Sequence, residues 1–252
     1  MNICVIGTGY VGLVTGVLFS DLGNNVLCVD NNASKVEHLK QGILPIYEPG
    51  LEELLTRNVK ARRLFFTTDL RDAVQKSEVV FICVGTPPTE TGEPNMEFVC
   101  AVAKEIAEGL NGYKIVVNKS TVPVGTGDLV SDIIRQYRTA PHDFDVVSNP
   151  EFLREGSAIL DTLKPDRIVI GASSAKAGEM IQLIYAPLNA PIYITDVASA
   201  EMIKYTANSF LATKISFINA IANVCERVGA DVTHVIDGVG SDKRIEIGRA
   251  HV

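Results

Sequence analysis

A glycine-rich turn and the acid that follows it form the first candidate site for chemistry. The apolar run ICVIG leads into GTGYVG at residues 7–12, and a second apolar run, NVLCVD, ends at Asp30. In such a pattern Gly7 permits a tight turn, Gly9 lets the backbone approach a pyrophosphate, and Gly12 lets a helix pack on a strand. An acid after the second strand binds the adenine ribose hydroxyls, and its charge repels a 2′-phosphate. The spacing therefore predicts a dinucleotide site, with NAD rather than NADP as the cofactor.

Two lysines have both a structural and a functional interpretation. Lys35 follows Asp30 closely and could be an ordinary surface residue, or its ammonium could reach the phosphate or ribose of the cofactor. Lys204 precedes Asn208 by one helical turn in an otherwise apolar stretch, where an ammonium is costly unless it has a partner. A solvated lysine is the simpler interpretation. An amine beside a neutral amide would, however, suit the stabilisation of a developing oxyanion.

Two acids, Glu151 and Glu155, follow the pair Asn149 and Pro150. Asparagine as a cap and proline at the first helical position predict that a helix begins here, with both acids on one face. First-turn acids often only complement the helix dipole. Alternatively, one carboxylate acts as an acid or base, or orients a water, while the other contacts sugar or nicotinamide.

The elements that must position these residues are apolar, β-branched runs separated by helical stretches. Runs without polar alternation are buried on both faces, and their alternation with helices predicts an α/β fold with a Rossmann-like, doubly wound parallel sheet. Ligands of such sheets bind at the carboxyl ends of the strands, so segments 85–88, 120–123 and 149–151 are expected to line one cleft. The eight runs are ICVIG, NVLCVD, LFFTT, VVFICVG, KIVVNKS, FDVVSN, RIVIG and PIYIT.

From about Ala198 the pattern changes to one long amphipathic helix that is expected to end at Gly229, followed by a short helix, ADVTHVIDGV. Helices of this length commonly join domains or form subunit interfaces. We expect a homodimer through this helix in the intact protein.

Composition excludes several classes of protein. The 252 residues are 46% apolar, enough for a sizeable core, and the net charge of -7 argues against a nucleic-acid partner. Residues 1–20 carry no charge, but they lack a basic n-region and contain four glycines. They are predicted to form a buried strand and helix rather than a signal peptide or membrane span, so a cytoplasmic protein without a membrane partner is expected.

The cysteines and histidines do not suggest a metal site or a nucleophile. The five cysteines are scattered without metal-ligand spacing, and the four histidines are equally dispersed. Cys4, Cys28 and Cys83 lie inside apolar strand runs, where a thiol behaves as a small hydrophobe. We expect reduced core cysteines and no bound metal.

Longer sequence blocks carry a more specific signal than the glycine turn. The chain contains GTGYVGLVTG, YEPGL, VGTP, STVPVGTG, NPEFLREGSAILD, KPDRIVIG and EMIKYTANSFLA. Together these blocks resemble the UDP-glucose 6-dehydrogenase family of nucleotide-sugar dehydrogenases, from Met1 to about Ile245. The resemblance implies an NAD-dependent enzyme that oxidises the C6 alcohol of UDP-glucose in two hydride transfers, giving UDP-glucuronate and two NADH.

The resemblance also assigns residues to cofactor, substrate and catalysis. Thr121 would position a water or a substrate oxygen, and Glu151 would assist thioester hydrolysis. Lys204 and Asn208 would stabilise the oxyanion. The implied cofactor-binding residues are Gly7, Gly9, Tyr10, Val11, Gly12, Asp30, Lys35, Thr86, Thr121 and Glu155. The implied substrate-binding residues are Glu151, Phe152, Leu153, Arg154, Glu155, Lys204 and Asn208.

The sequence departs from the family pattern after DKRI at residues 242–245. The family's nucleophilic cysteine belongs to a GGSCFPKD-type segment, and no cysteine here lies in such a segment. Without that thiol no thiohemiacetal forms, so we expect part of a longer enzyme, inactive by itself. The predicted parts are an NAD-binding Rossmann domain at residues 1–197, the start of a helical middle domain at 198–245, and a non-native tail, EIGRAHV, at 246–252.

Several alternatives remain open. Related dehydrogenases act on GDP-mannose or on UDP-N-acetylhexosamines, although NPEFLREGSAILD and KPDRIVIG favour glucose. The chain could also be a catalytically inert NAD-binding or dimerising module. A generic β-hydroxyacid dehydrogenase would share the Rossmann start and the long helix, but it would not explain NPEFLRE or YEPGL.

Overall fold

The computed structural model describes residues 1–242 and 244–245. The chain divides into two compact units, the first from Met1 to Met202 and the second beginning at Ile203. The sequence predicts a domain boundary after residue 197. That boundary and the division after Met202 both lie near the start of one long helix. The tail predicted at residues 246–252 lies outside the described residues.

All eight apolar runs form strands of one sheet, which confirms the predicted α/β fold class. The strand order is β3-β2-β1-β4-β5-β6-β7-β8, with the two halves of the sheet extending in opposite directions from β1 and β4. Strands β4 and β5 are buried at every residue because helices cover both faces of the sheet. The strands are β1 (Asn2–Ile6), β2 (Asn25–Val29), β3 (Leu64–Thr67), β4 (Val79–Ile82), β5 (Lys114–Asn118), β6 (Phe144–Ser148), β7 (Ile168–Ala172) and β8 (Ile192–Thr195).

One strand pair departs from the predicted parallel arrangement. β7 runs antiparallel to β6, with Val147 opposite Ala172 and Ser148 opposite Gly171, and β8 is parallel to β7. The helix between β6 and β7 has only six residues, about 9 Å at 1.5 Å per residue. The rest of the connection is loop, and it leads the chain into β7 at the same edge of the sheet where β6 ends.

The helices of the first unit cover the two faces of the sheet with separate apolar clusters. Helices α1, α2, α3, α7 and α8 pack on one face, and α4, α5 and α6 pack on the other. Their bounds are α1 (Tyr10–Asp21), α2 (Ala33–Lys40), α3 (Leu51–Lys60), α4 (Leu70–Lys76), α5 (Glu97–Gly109), α6 (Thr126–Tyr137), α7 (Ala158–Leu163) and α8 (Ala175–Tyr185), the last followed by a 3-10 turn (Ala186–Leu188).

The uncharged amino-terminal stretch forms β1 and α1, and both are mostly buried in this sandwich. Within residues 1–242 and 244–245, no helix combines the length and apolarity needed to cross a bilayer.

The predicted long helix is α9 (Val197–Val228), and Gly229 follows it with a φ of +73°. A left-handed residue directly after the last turn is the usual end of a helix, and glycine adopts it without steric cost. The predicted short helix is α10 (Val232–Gly240), where the side chain of Asp231 caps the first turn by accepting from the N–H of Thr233.

Candidate functional site

The glycine turn contains two glycines that the fold requires and one that it does not. Gly7 has a φ of +95°, and a Cβ there would lie 2.8 Å from the carbonyl oxygen of Cys83. A Cβ on Gly12 would lie 1.9 Å from the carbonyl oxygen of Gly7. A Cβ on Gly9, by contrast, would meet no atom within 4 Å. The missing side chain at Gly9 therefore leaves open space directly at the start of α1, which suits the close approach of a ligand.

The amino terminus of α1 is suited to bind an anion. Gly9 offers no side chain to cap the helix, and the first turn contains no acidic residue. The first N–H groups of a helix have no partner within the helix and carry its positive dipole end. A pyrophosphate at this position would supply those N–H groups with acceptors.

Asp30 lies directly beside this turn. Its Oδ2 accepts from the hydroxyl of Thr8 at 2.6 Å, from the N–H of Thr8 at 3.0 Å and from Nζ of Lys35 at 2.9 Å. Its Oδ1 accepts from the N–H of Asn32 at 3.1 Å. Burial raises the pKa of Asp30, but the bonds from Thr8, Lys35 and Asn32 outweigh burial and lower it to about 2. The carboxylate is therefore ionised at neutral pH and can accept hydrogen bonds from hydroxyl groups.

Thr86 and Thr121 follow the neighbouring strands β4 and β5, at the same edge of the sheet. The hydroxyl of Thr86 donates to the carbonyl oxygen of Thr121 at 2.9 Å. The hydroxyl of Ser120 donates to the carbonyl oxygen of Val84 at 2.7 Å. These bonds join the two loops. Both threonines, like the glycine turn, lie at the carboxyl edge of the sheet.

The prediction that a helix begins at Pro150 is wrong. Residues 150–157 form a loop, and α7 begins only at Ala158, so Glu151 and Glu155 do not share a helical face. Asn149 cannot act as the predicted cap because its side chain is buried. Its amide donates to the carbonyl oxygen of Val169 at 2.8 Å, and its Oδ1 accepts from Lys119 and Tyr185.

The side chains of this loop have separate anchors. The carboxylate of Glu151 accepts from the N–H of Leu153 at 2.6 Å, and Leu153 packs against the core. Phe152 stacks under Arg167, with the guanidinium carbon 4.0 Å from the ring centre. Arg154 forms an ion pair of 2.6 Å with Asp161, and Glu155 is exposed.

Glu48 anchors the same loop, although no role was predicted for it. It is 4% exposed, and its carboxylate accepts from the hydroxyl of Tyr10, from the N–H of Gly156 at 2.9 Å and from the N–H of Ile159 at 3.4 Å. Burial and the bond to Glu48 raise the pKa of Tyr10 to about 12. The block YEPGL contains this acid, but its backbone partners, Gly156 and Ile159, lie more than 100 residues later in the chain.

Lys204 and Asn208 lie on consecutive turns of α9, in the second unit. Lys204 is 5% exposed, whereas Asn208 is exposed. Their spacing places them on one side of the helix, as the sequence predicted.

The five cysteines all fall within the described part of the chain, and all are free thiols. Burial raises the pKa of Cys83 to about 12 and that of Cys4 and Cys28 well above the usual value. A thiol with a raised pKa is a poor nucleophile. Among the described residues no cluster of histidine, cysteine, aspartate and glutamate could hold a metal ion.

Comparison with known proteins identifies this arrangement. Residues 1–189 match the profile of the UDP-glucose/GDP-mannose dehydrogenase family, NAD binding domain, and residues 198–251 match the central domain of the same family. The chain is 58% identical over 244 residues to the UDP-glucose 6-dehydrogenase TuaD of Bacillus subtilis, covering 97% of this chain and 53% of that protein.

Two solved structures are similar in fold and sequence. A UDP-glucose dehydrogenase from Pyrobaculum islandicum has a TM-score of 0.94 and 43% identity, covering 96% of this chain and 57% of that one. A GDP-mannose dehydrogenase from Pseudomonas aeruginosa, in a ternary complex, has a TM-score of 0.94 and 39% identity, covering 99% of this chain and 58% of that one.

The chain thus spans about half the length of the curated relatives it matches. The predicted family resemblance and the predicted cofactor, NAD, are both confirmed. The open space at Gly9 and the ionised acid beside it fit that cofactor. Since the profile of the NAD binding domain covers most of the sequence, the chain belongs to the UDP-glucose/GDP-mannose dehydrogenase family.

Proposed function

We propose that this chain is the NAD-handling part of a UDP-glucose 6-dehydrogenase, which oxidises the C6 alcohol of UDP-glucose to the carboxylate of UDP-glucuronate. The observation that carries this proposal is the ionised Asp30 beside a glycine turn with open space at Gly9. The 58% identity to a Bacillus subtilis UDP-glucose 6-dehydrogenase supports the choice of substrate.

Cofactor binding is proposed to involve two regions of the first unit. The amino terminus of α1, with Gly9, Tyr10 and Val11, would bind the pyrophosphate, and Asp30 would bind the adenine ribose. The loops after β4 and β5 would bind the remainder through Thr86 and Thr121. NAD, when bound, supplies the hydride acceptor for each of the two oxidations.

The substrate is proposed to contact the loop from Glu151 to Glu155 and the first turns of α9. Lys204 and Asn208 would stabilise negative charge on the C6 oxygen as its proton leaves. Thr121 would orient a water or the substrate oxygen, and Glu151 would assist hydrolysis of a thioester. Arg154 is held by Asp161 and Glu151 by the backbone of its own loop, so both are partly preorganised for contacts with the sugar.

A thioester requires a nucleophilic thiol, and none of the five cysteines has the setting of one. Cys4, Cys28 and Cys83 are buried in the sheet with raised pKa values, Cys225 is buried in the second unit, and Cys100 is partly buried against the apolar cluster under α5. We therefore infer that this 252-residue chain binds cofactor but does not complete the oxidation by itself.

GDP-mannose is the second candidate substrate, because a GDP-mannose dehydrogenase shares 39% identity and a TM-score of 0.94 with this chain. The higher identity to UDP-glucose 6-dehydrogenases favours UDP-glucose. A chain that binds NAD and neither nucleotide sugar would instead be an NAD-binding or dimerising module.

We further propose that α9 forms the interface of a homodimer in the cytoplasm. Several large apolar side chains of α9 are exposed, and such a patch marks an interaction surface. Size-exclusion chromatography with light scattering measures the mass directly, and a monomer at micromolar concentration would contradict the dimer. The exposed side chains are Phe210, Leu211, Ile215, Phe217, Val224 and Val228.

Calorimetric titration of the chain with NAD, NADP, UDP-glucose and GDP-mannose tests the proposal, together with an NADH absorbance assay. We expect binding of NAD in preference to NADP and no sustained NADH production. Absence of NAD binding would contradict the proposed function. Sustained turnover would show that a group in this chain replaces the missing thiol.

A further inference from the structure

The carboxylate of Glu201, in the first turns of α9, occupies the amino terminus of α6. Its Oε2 accepts from the N–H of Gly125 at 2.7 Å, and its Oε1 accepts from the N–H of Gly127 at 2.8 Å. Glu201 is 2% exposed and belongs, like α6, to the first unit. One acid thus supplies acceptors for two backbone N–H groups of the glycine-rich turn that leads from Thr121 into α6.

The backbone of this turn is shaped to admit the acid. Gly125 has a φ of +96°, and a Cβ on Gly127 would lie 2.4 Å from Cγ1 of Val197 and 3.5 Å from Oε1 of Glu201. Gly125 therefore allows the left-handed turn before α6, and Gly127 lets the first turn of α9 approach the start of α6 closely. A second glycine-rich helix terminus in the same domain is in this way closed to an external phosphate, whereas that of α1 is open.

Burying a carboxylate costs free energy, because the charge is removed from water. Burial raises the pKa of Glu201 in spite of the two N–H groups that stabilise its charge. An apolar side chain of similar volume would fill the same space without desolvating a charge, so packing alone does not account for an acid here. What the acid adds is a fixed direction for two N–H groups, and hence a fixed path for the loop that contains Thr121.

We propose that Glu201 is a positioning residue for Thr121. The loop is tied at its start by the bond from Thr86 to the carbonyl oxygen of Thr121, and at its end by Glu201. With both ends fixed, Thr121 is presented to the cofactor without a further loss of loop entropy on binding. The inference rests on the proposed function, in which Thr121 contacts NAD.

The test compares NAD with ADP as ligands of the 252-residue chain. ADP contains only the half of the cofactor that Asp30 and the turn before α1 are proposed to bind. Strand β5 lies two positions from β1, about 10 Å across the sheet, so the Thr121 loop would touch the other half. Loss of loop positioning should weaken NAD binding and leave ADP binding unchanged, whereas general destabilisation should weaken both.

Two variants and a control separate positioning from packing. Glu201→Gln keeps the shape and turns an amide towards the two N–H groups, and Glu201→Met keeps the volume with a flexible apolar chain. The control is Glu179→Gln, an exposed acid on α8. We expect both Glu201 variants to bind NAD about three- to tenfold more weakly, with ADP affinity at the level of the control. Hydrogen exchange should become faster at Gly125 and Gly127 and stay slow at Thr8.

The other outcomes overturn the proposal in distinguishable ways. Unchanged NAD affinity in either folded variant would overturn the positioning role alone, and so would parallel losses of NAD and ADP affinity. Unfolding of both variants would assign Glu201 to the stability of the fold instead. Failure of the parent chain to bind NAD would overturn the proposed function, and this inference with it.

Discussion

The ammonium of Lys35 lies 2.9 Å from Oδ2 of Asp30, so the acid proposed to bind the cofactor is already part of an ion pair. The pair is only partly exposed, with 25% of the lysine and 11% of the aspartate side chain accessible. Thr8 and Lys35 together supply three donors to Oδ2, whereas Oδ1 has one, the N–H of Asn32. In the proposed binding mode a ribose hydroxyl would therefore have Oδ1 as its acceptor, while the bonds from Thr8 and Lys35 lower the pKa of the carboxyl.

Asp30→Asn should weaken NAD binding and reduce the preference for NAD over NADP. A hydrogen bond to a charged acceptor contributes about 1.5–3 kcal/mol, which corresponds to a loss of about tenfold or more in NAD affinity. NADP should lose less, because the substitution also removes a repulsive charge. Titration calorimetry measures both ligands, with Asp132→Asn, 76% exposed, as the control. An unchanged ratio of the two affinities would refute the assignment.

The same acid should contribute a pH-dependent part of the stability. The pKa of Asp30 is lowered to about 2 when folded, against about 3.9 in an unfolded chain. A lowered pKa stabilises the fold above the unfolded-state value, and this contribution is lost as the pH falls through the folded value. The difference in unfolding free energy between the parent and Asp30→Asn should be constant above about pH 5 and shrink towards pH 2. Urea unfolding across this pH range measures the difference in unfolding free energy. A difference independent of pH would argue against the ion pair.

Alanine substitutions at Gly9 and Gly12 should have opposite consequences. Gly12→Ala places a Cβ 1.9 Å from the carbonyl oxygen of Gly7, so the turn cannot form unchanged and the melting temperature should fall. Gly9→Ala meets no protein atom within 4 Å, and its φ of -71° suits any residue, so the fold should persist. The new methyl group would, however, occupy space needed by the pyrophosphate. Thermal unfolding and NAD titration test the pair, and undiminished NAD affinity in Gly9→Ala would contradict the proposed binding mode.

The elements that could be predicted from the sequence are those encoded by local pattern. Continuous apolar runs identified all eight strands, and Gly229 correctly ended α9. The helix start at Pro150 was predicted wrongly because the side chain of Asn149 is bound by Lys119 and Tyr185, which no local pattern indicates. The direction of β7 was missed because it depends on the path of the preceding loop.

Two buried acids that bind loop backbone could not be predicted either, because their partners are distant in the sequence. Glu48 binds the N–H of Gly156, and Glu201 binds those of Gly125 and Gly127. These backbone donors lie at least 74 residues from their acceptors, and a backbone N–H has no sequence signature. A buried acid becomes recognisable only when the tertiary fold places free N–H groups beside it.

Glu48→Gln should loosen the loop from 151 to 157. The substitution keeps one acceptor oxygen but turns an amide towards N–H groups, and the loss should be about 1–3 kcal/mol of unfolding free energy. Urea denaturation measures this loss, and hydrogen exchange should become faster at Gly156 and Ile159. The control is Glu37→Gln, whose side chain is 60% exposed. Unaltered exchange at both amides would show that Glu48 does not hold the loop.

Asn118 is a buried amide whose removal should increase the free energy of unfolding, whereas removal of the Glu48 carboxylate should decrease it. It is 1% exposed in β5 between Ile82 and Ser148, and its side-chain nitrogen and oxygen have no hydrogen-bond partner among the described residues. A buried polar group left unsatisfied costs about 1–3 kcal/mol, so the similarly shaped Asn118→Leu should raise the unfolding free energy by about 1 kcal/mol.

Asn149→Leu is the matched control for this prediction, because the amide of Asn149 is equally buried but bound by Lys119, Tyr185 and Val169. Its loss should destabilise the fold, since it removes an acceptor of Lys119 and Tyr185 and a donor to the carbonyl oxygen of Val169. Urea unfolding of the two variants should therefore give changes of opposite sign. Destabilisation by Asn118→Leu would mean that this amide has a partner after all, such as a buried water, which typically bonds two to four buried polar groups. A crystal structure of the parent chain would show whether a water is bound to the side chain of Asn118.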